Sequence, residues 1–100
     1  MTLQSIAQYG KDFQLKVLGS LLTDKRFILQ VRDMLKEEYF DSDVHKWIIS
    51  QIIQYFDKYN TTVTMEVLKI EMQKIENSVL KTAIKEELRH SYNASQEDLE

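Results

Sequence analysis

One stretch constrains this chain more than any other: Asp43 to Tyr59, DVHKWIISQIIQYFDKY. Its apolar residues recur at Val44, Trp47, Ile48, Ile52, Tyr55, Phe56 and Tyr59, the three-and-four spacing of one helix face. Ile49 and Ile53 widen that face, so two or more neighbours must cover it. Asp41, Ser42 and Asp43 can cap the free amides at its start and suit the positive end of the helix dipole. Asn60, Thr61 and Thr62 supply stop and turn chemistry at the other end. The pattern is that of a central helix in an all-α domain. Having no proline and only two glycines in 100 residues, the chain suits helices joined by short turns and not a hairpin-rich β fold.

The other segments read as partners for that helix. Leu3, Ile6 and Tyr9 space out a short lead-in over residues 3–9, which Gly10 interrupts. From Lys11 or Asp12 a firmer helix runs to Leu22, with Phe13, Val17 and Leu21 on one edge and Leu18 and Leu22 beside them. Gly19 inside it costs about 1 kcal/mol relative to alanine, which reads either as a close approach by another helix or as simple tolerance of a weak position. Thr23 and Asp24 cap a helix over Lys25–Leu35, whose apolar set is Phe27, Ile28, Val31, Met34 and Leu35. Lys36 to Phe40 is expected as a tight or 3₁₀ turn that delivers Phe40 to the core. Thr64 caps a fourth helix to about Ile75, with Met65, Leu68, Met72 and Ile75 inward. A fifth follows from Asn77 to Ser91, with Val79, Leu80, Ala83, Ile84 and Leu88 inward. Asn93-Ala94 should end it, and Ser95-x-x-Asp98 has the form of a capping box opening another.

Composition excludes several classes of function. Without cysteine there is neither a disulfide framework nor a thiolate metal site. No apolar run approaches the roughly 20 residues of a membrane span, and no signal peptide is present, so a soluble, cytoplasmic protein is expected. A net charge of −3 is a poor footprint for nucleic acid, although Lys11, Lys16, Lys25, Arg26 and Arg32 make the first third locally basic. There is no Gly-Lys-Ser/Thr phosphate loop and no glycine-flanked serine elbow. His45 and His90 lack metal-ligand spacing, and His45, in the first turn of the central helix, reads as a packing or capping residue. Adjacent Glu86 and Glu87 point about 100° apart on a helix and cannot share a proton unaided. Catalytic, cofactor-binding and metal residues are therefore expected to be none.

Two segments together carry a more specific signal. The first is Val17-Leu18-Gly19-Ser20-Leu21-Leu22-Thr23-Asp24. The second runs Glu38-Tyr39-Phe40, then His45-Lys46-Trp47-Ile48-Ile49, then Val63-Thr64-Met65-Glu66-Val67-Leu68. In order and spacing this series resembles the N-terminal domain of DnaB-type replicative DNA helicases, phage members included, over roughly residues 11–75. Trp47, one position before Ile48, and Asn60 or Thr61 in place of a glycine depart from that pattern.

The resemblance implies a bundle of about five to six helices around the central one near 43–59. Residues 1–94 would form the collar and interaction domain, and 95–100 the start of a linker hairpin helix. Val17, Leu18, Gly19, Leu22, Asp24, Phe40, His45, Trp47, Ile48, Thr64 and Leu68 would be structural motif positions. The full-length parent would form a hexameric ring and dock primase or a helicase loader. It would contact DNA and use nucleotide and magnesium through a separate motor domain. The alternatives are a helical adaptor, such as a primase-type helicase-binding domain or small phage replication protein, and a stand-alone nucleic-acid binder.

Overall fold

The computed structural model describes residues 10–40 and 42–97, with the side chains of 11, 37 and 93–97 left aside. The lead-in over residues 3–9, Asp41 as a cap and Asp98 of the capping box lie outside the described residues. Five α-helices follow one another: α1 (Lys11–Thr23), α2 (Lys25–Val31), α3 (Asp43–Tyr59), α4 (Met65–Gln73) and α5 (Ser78–Glu97). No strand occurs among the described residues, and the architecture is all-α.

Local chemistry sets each boundary. Gly10, at φ +90°, turns the chain into α1 in a conformation other residues rarely adopt. Asp24 closes α1 through its own N–H to Ser20 O (2.8 Å). It also opens α2, its carboxylate accepting from the amides of Arg26 and Phe27 at 3.0 and 3.2 Å. One residue thus serves two helices. α2 ends at Val31, and a 3₁₀ turn, Arg32–Met34, takes over the last part of the helix expected to Leu35. A second 3₁₀ turn, Glu37–Tyr39, delivers Phe40 into the core at 1% exposure.

Ser42 Oγ accepts from the amide of His45 (3.0 Å) to start α3, and Asn60, left-handed at φ 58°, stops it. Thr64 Oγ1 accepts from Val67 N–H at 3.2 Å and begins α4. Asn77 Oδ1 accepts from Val79 and Leu80, both 3.0 Å, and begins α5. No break occurs at Asn93–Ala94: α5 runs on to Glu97, since asparagine costs a helix interior only about half a kcal/mol.

The core is one cluster. Val17, Leu18, Leu21 and Leu22 of α1 meet Ile48, Ile49, Ile52 and Phe56 of α3 and Ile84 and Leu88 of α5, with Leu68 and Met72 added by α4. The most extensive seam is α1 on α5, with α3 packed across α5, so the inward face of α3 is covered from more than one side. Some residues expected inward point out. Met34, Tyr59 and Val79 are 48, 53 and 78% exposed. Met34 lies on the 3₁₀ turn, where the helical phase is lost, and Tyr59 and Val79 lie in terminal turns that reach past their neighbours.

Candidate functional site: a buried polar tie and the surface around it

Three helices contribute one side chain each to a polar cluster inside the core. His45, in the first turn of α3, is 4% exposed. Its Nε2 lies 2.7 Å from Oε2 of Glu87 on α5, and its Nδ1 lies 3.1 Å from Oε1 of Gln14 on α1. Both ring nitrogens therefore have a polar partner, one on α5 and one on α1. The Phe40 ring stands edge-on to the imidazole at 6.2 Å between centroids and walls off one side. Such a tie orders α1, α3 and α5 relative to one another, because each partner is costly to leave unpaired.

The sequence reads His45 as a packing or capping residue; it is buried while Ser42 is the cap, and its two partners were not legible. Gln14 lies on the stripe of Leu18 and Leu21, four and seven residues before them. Glu87 lies on the stripe of Ile84 and Ser91, three residues after one and four before the other. A polar residue on an apolar stripe was the available signal. The neighbouring Glu86 turns outward to Arg89 (2.6 Å), as the angle between adjacent helical positions requires.

All but one of the remaining motif positions fall into two groups. Val17, Leu18, Gly19, Leu22, Phe40, Ile48 and Leu68 are buried, whereas Asp24 and Thr64 are exposed helix caps. Trp47 is only partly buried against the core. Of the basic residues in the first third, Arg32 is held by Asp57 through two hydrogen bonds of 2.7 and 2.6 Å. The Asp57 hydrogen bond raises the guanidinium's pKa, and the guanidinium holds the Asp57 carboxyl below its ordinary range. Lys16 is also engaged.

Outward, Leu29, Met34, Tyr59, Ile70 and Val79 expose apolar surface from five different elements. Tyr55 and Tyr59 stack at 4.6 Å along a shallow groove between α3 and α4. No group of three or more histidine or acidic residues could hold a metal among the described residues. No helix among them is long and apolar enough to cross a membrane.

The all-α fold agrees with the comparison against protein families. The family model described as "DnaB-like helicase N terminal domain" matches residues 11–96. The chain belongs to that family. No curated protein and no solved structure matched it. In this DnaB-like helicase N-terminal domain, α1, α3 and α4 supply core positions, Asp24 and Thr64 cap α2 and α4, and His45 joins α3 to α1 and α5.

Proposed function

We propose that this domain is the collar and protein-docking module of a hexameric replicative DNA helicase. In this reading a separate motor domain binds nucleotide and magnesium and unwinds duplex DNA at the fork, in the cytoplasm of a bacterium or of one infected by phage. The collar pairs with neighbouring subunits and offers a surface to primase or a loader. The family match over residues 11–96 carries the reading. One structural feature supports it: buried hydrogen bonds join α1, α3 and α5, which suits a docking platform.

Reading the gene onward from codon 100 tests the proposal. A Gly-x-x-x-x-Gly-Lys-Ser/Thr loop between a strand and a helix, on the order of a hundred residues on, is expected. A coding sequence without one would overturn the helicase reading and favour a helical adaptor.

A further inference from the structure

α4 and α5 leave an open groove of about 410 Å³ whose chemistry differs from the rest of the surface. α4 lines it with Lys69, Met72 and Gln73, and α5 with Lys81, Thr82 and Lys85. Both sets have helical spacing: Lys81 and Lys85 stand one turn apart, and Lys69 shares a face with Met72 and Gln73. Half the lining residues are lysines and none is an acid, in a chain whose net charge is −3.

The acids beside these residues in sequence are committed elsewhere. Glu71 bonds Lys74 at 2.6 Å and lines the groove on the other side of α4, and Glu86 bonds Arg89 at 2.6 Å. Among the described residues the side chains of Lys69, Lys81 and Lys85 make no hydrogen bond or ion pair. Lysines scattered over a helix surface need only water. Three that converge from two helices on one concavity, with no carboxylate lining it, make a positive field that an anion would relieve. Met72, 7% exposed, adds a polarizable apolar patch between them.

We propose that this groove binds an acidic amphipathic segment of a partner protein. Carboxylates one helical turn apart would meet Lys81 and Lys85, a further one Lys69, and an apolar side chain would rest on Met72. The lining holds no aromatic ring for a base to stack on, and three lysines neutralise few phosphates, so a peptide fits better than nucleic acid. The inference rests on the groove and not on the helicase reading; a chain with no motor domain would carry it equally.

The test uses residues 1–100 and a fluorescein-labelled synthetic helix of about four turns, with glutamates spaced by four around leucines. Controls are the same peptide with glutamine for glutamate, and a short single-stranded oligonucleotide. Anisotropy should show binding of the acidic peptide alone, weakening with added salt. An exposed lysine–carboxylate pair contributes up to about fivefold in affinity, so Lys81→Gln with Lys85→Gln should weaken binding about tenfold. Lys58→Gln, in the groove between α3 and α4, should change nothing. The substituted lysines are surface residues, and thermal unfolding would confirm that the variants fold. No binding at millimolar peptide, or binding indifferent to the double substitution, would overturn the proposal. So would tighter binding of the oligonucleotide that the same substitutions abolish, or self-association that they abolish, which would identify a second copy as the occupant.

Discussion

Replacing His45 by alanine should destabilise the domain by about 3 kcal/mol. The ring is 4% exposed and joins Glu87 at 2.7 Å and Gln14 at 3.1 Å. Leaving a buried hydrogen-bonding group without its partner costs about 1–3 kcal/mol, and His45→Ala leaves two, so roughly 2–6 kcal/mol together. Glu87 is 14% exposed and has a further interaction of its own, so water and that contact soften its loss and place the cost near the lower end. Glu87→Ala should cost less, about 2 kcal/mol, because it leaves one ring nitrogen without its partner while the Gln14 contact remains. If the two groups act through each other, the double variant should fall short of the sum by about 1–2 kcal/mol. Urea unfolding at pH 7, followed by helical circular dichroism, measures all three variants in one cycle. A His45→Ala cost under about 1 kcal/mol, with no coupling to Glu87, would refute the view that this tie holds α1, α3 and α5 together.

Three further outcomes follow from burial and pairing. Phe40→Ala should cost about 3–5 kcal/mol, whereas Trp47→Ala should cost less, about 2 kcal/mol, because the indole is only partly covered; urea midpoints in the opposite order would contradict the packing described. Ser91 is fully buried and its hydroxyl has no partner among the described residues, so Ser91→Ala should change stability by less than about 1 kcal/mol or raise it, read from the melting temperature. The pKa of Asp57 is lower in the folded state than its ordinary 3.8, so its contribution is full above that value and fades as the pH falls through the lower folded value. Asp57→Asn should therefore show a small, salt-sensitive loss at neutral pH that vanishes in strong acid. A loss that grew on acidification would reverse that sign.

Local pattern located most of the helices, because caps and apolar spacing act within one or two turns. α3 begins and ends where its spacing, Ser42 and Asn60 place it. Thr64 and Asn77 likewise open α4 and α5. Periodicity shows which residues share a stripe but not how far neighbouring elements extend over it. Tyr59 and Val79, in the terminal turns of their helices, were therefore read as inward and are exposed. Asn93–Ala94 looked like a stop, yet without glycine or proline nothing in that pair breaks the hydrogen-bond ladder, and α5 continues.

The polar tie was the least legible feature. His45 meets Gln14 and Glu87 across 31 and 42 residues of sequence, a separation no local spacing rule reaches. The lysine groove has the same character. Lys69 belongs to one helical face and Lys81 and Lys85 to another, and only the placement of α4 and α5 in the fold turns two solvated faces into one concavity.

The central claim, that this family member serves as the collar of a ring, is tested most directly by sedimentation velocity at micromolar concentration. The protein should be measured with its natural continuation past residue 100, beside residues 1–100 alone. Linking the collar to a motor raises the local concentration of neighbouring collars, so the longer protein should sediment as a hexamer and the short chain as a monomer or weak dimer. A longer protein that remained monomeric under these conditions would contradict the account.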